Sequence, residues 1–356
     1  MASSSDSDWE RLPLNLQESI LLLLPISTLL ICKSLSRSFL HTIRSPSFLS
    51  AYSLRRSRHL DDLIFLLFID GILDRRPRAI AFLPVRATWF RLPLPPSLCH
   101  IHTSNGCLVV AEKFEGGQFV SDLLSRTVTP IAPLSFHSYI LSLVEDEAST
   151  DFKIVSSSKN VIDGGILRPS DCLVYNSASR RWESAGQFPH RYAMLGNAIL
   201  LNGLLFVLGR QPDHLLAFDL KTRMWSVVDE ELPLSLLCFH LLVFEERLFL
   251  VGGLDGEELT ITKIEIWEYD LVEKQWGRFS FMPDEIFQQF CGNGLFYFDT
   301  VDQLGIVLFC NTRESIIIMF DMSSKIWSRA PDCDVLPKSR KSWIGHALVP
   351  SVQLLK

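Results

Sequence analysis

Four stretches of the chain repeat one pattern: "YNSASRRW" (175–182), "FDLKTRMW" (218–225), "YDLVEKQW" (269–276) and "FDMSSKIW" (320–327). Each is an aromatic residue, then Asp or Asn, then five residues, then Trp. That is the chemistry of a β-hairpin. An apolar strand ends in the aromatic, and the Asp or Asn side chain bonds its own backbone to open a turn. Polar residues cross the solvent-facing turn. Trp then enters the return strand and is expected to point into the core, where its large area counts most. Two weaker copies share the offset: Asp122 with Val128 in "SDLLSRTV", and Phe82-Leu83 with Trp89 in "FLPVRATW". They bring the count of hairpins to six.

Upstream of most copies lies a second strand pair. Examples are "AMLGNAILLNGLLFVLG" (193–209) and "CFHLLVFEERLFLVGG" (238–253). Asn202-Gly203 in the first is a strong two-residue hairpin signal. Each unit is thus four strands in roughly 40–50 residues, the period of a β-propeller blade. The fold class is an all-β six-bladed propeller over 61–350. Blade one opens on "DLIFLLF" (62–68), with only the basic "LRRSRH" (54–59) before it. After Trp327 one strand is spare, "SWIGHALVP" (342–350). Residues 343–349 are expected to complete blade one and remove the open edge.

Ahead of the propeller sits "ESILLLLPISTLLICKSL" (18–35). Asp6, Asp8 and Glu10 precede it with Arg11 as the one base, which argues against a secretory signal. Pro25 and Ser27-Thr28 break the run well short of a membrane span. It reads as short helices, the first capped by Asn15, the second by Ser27 or Thr28, the third by Ser36, the fourth by Ser45 before Pro46. The module is all-α and holds more leucine than so few residues can bury. The divisions are a disordered tail (1–9), this module (10–50), a linker (51–60), the propeller and a short tail (351–356).

The 356 residues are 47% hydrophobic and 21% charged with net charge −6, a globular composition without the basic footprint of a nucleic-acid binder. Eight cysteines, with no CxxC, suit a reducing compartment. There is no GxSxG, P-loop, GxGxxG or HExxH. In "CHIHTSNGC" (99–107), Cys99, His100, His102 and Cys107 have metal-ligand side chains. Adjacent strand residues face opposite ways, so Cys99 and His100 cannot meet one ion without a bulge. No metal, cofactor or catalytic site is expected, and no nucleic-acid or membrane partner.

The stretch "LPLNLQESILLLLPISTLLICKSLSRSFLHTIRSPSF" (12–48) resembles an F-box. The shared elements are Leu12-Pro13, Ile20-Leu21, Leu24-Pro25, Leu29-Leu30, Ser36-Arg37-Ser38-Phe39 and Ser45-Pro46-Ser47-Phe48. Phe39 stands where the family has Trp, and Cys32 is shifted from the usual cysteine position. The Asp-x5-Trp repeats, with the double glycine Gly252-Gly253, resemble kelch repeats; blade four has Gly209-Arg210 instead. The combination looks like plant-type F-box/kelch-repeat proteins. The resemblance implies the substrate receptor of an SCF ubiquitin ligase, cytoplasmic or nuclear and itself non-catalytic. It would bind a Skp1-like adaptor, and through it a cullin and RING subunit, by Leu12, Pro13, Ile20, Leu21, Leu24, Pro25, Leu29 and Leu30. Leu29 and Leu30 divide evenly between core and interface. The rival reading is a propeller scaffold whose F-box no longer engages Skp1.

A protein substrate would sit on one propeller rim. The loops joining second to third strands (70–78, 112–117, 156–171, 210–214, 253–260 and 311–315) carry Arg75, Arg76, Lys113, Lys159, Arg168, Arg210, His214, Asp255 and Arg313. Their basic excess in an acidic chain suits an acidic or phosphorylated partner.

Overall fold

A computed structural model describes residues 9, 11–55, 63–69, 78–92, 94, 98–106, 108–113, 115–123, 127–134, 138–145, 151–158, 162–163, 166–167, 171–189, 192, 194–196, 198–229, 231–233, 236–256, 260–292, 294, 297–311, 314–333 and 343–349. Six antiparallel sheets form a propeller. Blades two, five and six are simple meanders: Leu98–Asn105 to Thr127–Pro130, Leu236–Phe244 to Gln275–Phe281, and Asp299–Gln303 to Ile326–Arg329. Blade three (Ser138–Glu145 to Arg181–Gln187) carries a small hairpin, Ile162–Asp163 with Ile166–Leu167, between its second and third strands. In blade four the innermost position is filled by two short pieces, Met194–Leu195 and Ile199–Leu201, both paired to Leu204–Arg210.

Blade one is built from both ends of the propeller. Trp343–Leu348 pairs antiparallel with Ile64–Ile69, which pairs in turn with Arg78–Leu83 and then Thr88–Leu92. The Ile64–Ile69 strand is therefore central, and Phe65, Leu66, Leu67 and Phe68 are all fully buried. This explains why "IFLLFI" does not alternate: both of its faces are covered by neighbouring blades.

The repeated hairpin has one geometry in five blades. The aromatic lies directly across from the Trp: Phe82 and Trp89, Tyr175 and Trp182, Phe218 and Trp225, Tyr269 and Trp276, Phe320 and Trp327. Their ring centroids are 4.4 to 5.2 Å apart. Such cross-strand aromatic pairs are worth about 0.5–1.5 kcal/mol beyond area burial. The acid opens the turn as anticipated. Asp219 Oδ1 accepts from the N–H groups of Lys221 (2.7 Å) and Thr222 (2.9 Å), and Asp270 and Asp321 repeat this. These bonds favour the ionised form and hold the Asp219 and Asp270 carboxyls below their ordinary range. Blade two is the exception, with Ser121 opposite Val128.

The five tryptophans pack, as expected, against the apolar clusters of the propeller core, which lie between blades. Each is partly buried at a seam with the preceding blade. The Trp182 indole N–H donates to the Ala132 carbonyl (2.7 Å), and that of Trp89 to the Pro331 carbonyl (2.8 Å). Trp225 stacks on Phe188, in the link from blade three, at 4.3 Å. At the Trp89 and Trp182 seams a carbonyl takes the single indole N–H, while Trp327 donates to the Ser280 hydroxyl (3.4 Å).

Asn202-Gly203 forms the expected hairpin, both residues in the left-handed region at φ +50° and +79°. The kelch-like glycines answer to packing. A Cβ on Gly252 would stand 2.7 Å from Leu236, and one on Gly253 2.9 Å from Ile261 and Phe298.

The N-terminal region comprises α1 (Leu14–Leu21), α2 (Ile26–Leu35), α3 (Arg37–Arg44) and α4 (Pro46–Arg55). Two expected caps are corrected. Asn15 lies inside α1 and Ser27-Thr28 inside α2; the helices start after Pro13 and Pro25. Proline's fixed φ presets the entry, and the Pro13 and Pro25 carbonyls accept the first helical bonds, from Gln17 and Leu29. Ser36 and Ser45 do cap, their hydroxyls accepting from the Phe39 and Phe48 N–H groups at 3.2 Å. A fifth helix, α5 (Asp284–Cys291), joins blades five and six and was absent from the sequence reading.

Removing residues 343–356 takes the innermost strand from blade one and leaves Ile64–Ile69 as an open apolar edge. A melting temperature lower by at least about 10 °C, or loss of a cooperative transition, is expected in scanning calorimetry. Unchanged melting would contradict this account of closure.

Candidate functional site

The helical region has a full core. Leu21, Ile26, Leu29, Ile43, Phe48 and Tyr52 are buried together. The Tyr52 hydroxyl donates to the Leu24 carbonyl (2.9 Å), and the buried Gln17 amide donates to the carbonyls of Trp9 (3.0 Å) and Leu12 (2.9 Å). With that core complete, seven large apolar side chains remain exposed: Leu14, Leu16, Ile20, Leu23, Leu30, Ile31 and Leu35. Leu16, Ile20 and Leu23 follow the spacing i, i+4, i+7, and Ile31 and Leu35 lie one helical turn apart on α2. Exposed large apolar side chains clustered in so short a segment are what an interaction site needs.

The eight residues expected to meet an adaptor now separate. Leu21 and Leu29 are 1% and 0% exposed and cannot touch a partner; they belong to the core under the surface. Ile20 and Leu30 are 41% and 40% exposed. Pro13 is exposed, while Leu12, Leu24 and Pro25 are half-buried. Leu14, Leu16, Leu23, Ile31 and Leu35 were missed. A leucine-rich run has no polar face to show which leucines turn outward. The two departures from the F-box pattern both turn toward the core side. Phe39 stacks on Trp9 at 4.9 Å, and Cys32 packs against the buried cluster, where burial pushes its thiol pKa up.

On the propeller, Arg75, Arg76, Lys159, Arg168 and Arg313 lie outside the described residues. Lys113 sits over the Phe119 ring at 5.8 Å, and Asp255 is exposed. Arg210 and His214 each already make contacts within the propeller. Arg210 Nη1 donates to the Leu236 carbonyl (2.7 Å), its Nε is 2.8 Å from Asp213 Oδ1, and its guanidinium lies over Phe239. It ties blade four to blade five and keeps further N–H donors. His214 Nδ1 is bonded to the Tyr192 hydroxyl at 3.0 Å. The strand between Leu98 and Asn105 does contain the bulge a Cys99–His100 site would need, at Leu98/His100. Among the described residues no group of His, Cys, Asp or Glu could hold a metal, and Cys107 is outside them. No disulfide joins the seven described cysteines to one another, and no described helix is long and apolar enough to cross a membrane.

A helical module with exposed apolar side chains, ahead of a closed propeller, defines a class: a binding module followed by a rigid scaffold. Residues 9–51 match the F-box domain family, and the chain carries an F-box there. It is 27% identical, over 93% of its own length and 84% of the relative's, to an F-box/kelch-repeat protein of Arabidopsis thaliana. In fold it is similar to a chain of the nidogen/laminin complex (TM-score 0.53, 9% identity, 81% of this chain and 99% of that one). It is equally similar to TolB from Acinetobacter baumannii (TM-score 0.53, 7% identity, 89% and 73%). At those identities the likeness concerns the propeller fold alone.

Leu29→Ala is expected to cost about 2–5 kcal/mol and to melt the helical module at lower temperature. Ile31→Ala, at an exposed position of the same helix, is expected to change stability by under about 0.5 kcal/mol. Circular dichroism at 222 nm follows both; equal losses would mean the core has been misassigned.

Proposed function

We propose that this chain is the substrate receptor of an SCF-type ubiquitin ligase. Its F-box binds a Skp1-like adaptor, and the propeller presents a protein substrate for ubiquitination and degradation, in the cytoplasm or nucleus. The chain itself makes and breaks no bonds; it supplies proximity to the ligase's catalytic subunits. The observation that carries the reading is the row of exposed leucines and isoleucines on a module whose own core is already filled. Covering each large side chain with a partner is worth about 1.5–3 kcal/mol, so a few of them support stable docking. Phe39 and Cys32 are partly buried and pack against the module's own core, which favours this reading over a scaffold with an inactive F-box.

The substrate is assigned to the rim of the second-to-third-strand loops. Ile64 faces Leu348, the last residue of the innermost strand. The linker from the F-box therefore joins the propeller at the opposite rim, and the assigned rim is clear of that junction. Loops on a rigid scaffold commonly carry recognition.

The double variant Ile20→Asp, Leu30→Asp places two charges on the exposed surface and touches no core residue. Capture by purified Skp1 is expected to fall at least about 100-fold, with circular dichroism and propeller melting unchanged. Undiminished capture by the folded variant would overturn the assignment.

A further inference from the structure

Down the propeller axis runs a cavity of about 430 Å³, within the range of small-molecule sites. All six blades contribute to its wall, chiefly from the innermost strands. Asn105, Gln303 and Leu200 are at or next to the last residues of those strands, so the cavity reaches toward the rim that receives the F-box linker.

Two properties of the wall point to a ligand. First, it contains a buried group the fold leaves unused. His346 is 5% exposed, lines the cavity, and its Nε2 has no hydrogen-bond partner among the described residues. An orphaned buried polar atom costs about 1–3 kcal/mol unless something satisfies it. Second, the wall is polar and lacks a cation. No Lys or Arg is among the described lining residues. Burial lowers the imidazole pKa values of His346 to about 3 and of His102 to about 4, so both rings are neutral at pH 7 and each offers one donor and one acceptor. Burial raises the Asp302 carboxyl to about 7, with no cation opposing it. Beside these stand the hydroxyls of Ser142 and Thr300 and the amide of Gln303.

The chemistry of the occupant follows by elimination. An anion such as phosphate would meet Asp302 and find no cation. An apolar molecule would strand the imidazole, carboxyl and amide groups without partners. A hydroxyl both donates and accepts, and several hydroxyls on one ring match donors and acceptors spread around the wall. We propose that the axial cavity binds a small neutral polyhydroxylated molecule, a cyclitol or monosaccharide, held by His346, Asp302, Thr300 and Gln303. The site stands independently of the adaptor reading. A ligand held by these residues bridges blades one and six, beside the pairing that closes the ring, and so stabilises the closed ring by mass action.

The test uses the full chain with myo-inositol, D-glucose and D-galactose as probes at about 10 mM, followed by saturation-transfer NMR and thermal melting. Putrescine and inorganic phosphate serve as charged comparisons. At least one polyol is expected to give saturation transfer and raise the melting temperature by about 3 °C. Both signals are expected to disappear in Thr300→Val and in Gln303→Leu, two near-isosteric changes on the cavity wall; one folded variant suffices for the comparison. Silence from all three polyols would overturn the proposal. So would a larger response to putrescine or phosphate, or polyol signals that persist in both folded variants.

Discussion

Everything in the propeller depends on one strand pairing: Ile64–Ile69 against Trp343–Leu348. A sheet with a free, flat, apolar edge is an invitation to pair with another chain. Here six register-matched residues on each side remove that edge. Closure also fixes the rest of the geometry. It draws the innermost strands around one axis and leaves the axial cavity. It sorts every loop onto one of two rims, and it places the junction with the helical module on one of them. The two chain segments that make this pairing are separated by nearly the whole propeller, so its contacts are as non-local as the chain permits. Folding of such a ring is expected to be slow relative to a protein dominated by local contacts.

What the chain discloses before folding is its local chemistry. The aromatic–Asp–Trp hairpin is legible because its parts act within eight residues: the aromatic that ends one strand, the Asx bond and the Trp that enters the next. Asn202-Gly203, Ser36 and Ser45 are legible for the same reason. The blade count and the sense of closure follow from adding such units. What could not be seen depends on neighbours distant in sequence. Trp89 and Trp182 pack against the core as expected, but the carbonyls that take their N–H groups, of Pro331 and Ala132, lie outside their own hairpins and could not be read from them. Arg210 looked like a rim cation; its partners, Leu236 and Phe239, lie across a blade boundary. The orphaned Nε2 of His346 has no sequence signature at all. Helix α5 was missed because a short amphipathic helix in an inter-blade link carries a weak signal beside the strong β repeat.

The F-box shows the opposite difficulty. Its existence and its residues were plain in the sequence, yet a run of leucines does not say which of them are inside. The structure divides Leu29 from Leu30, and Leu21 from Ile20, by a single residue of helical rotation each. Core and surface are thus interleaved, and a module this small can be both stable and adhesive only because each helix spends one face on its own cluster and leaves the other uncovered. The propeller, by contrast, buries its large side chains in the seams between blades. On the proposed reading, the molecule separates a surface for a constant partner from one for a variable partner.

That separation is most directly tested by hydrogen–deuterium exchange of the full-length chain with and without a purified Skp1-type adaptor. Slowed exchange is predicted in peptides covering residues 14–35, with the propeller strands of blades four and five unchanged. Protection confined to the propeller, or no protection of residues 14–35 at saturating adaptor, would contradict the account.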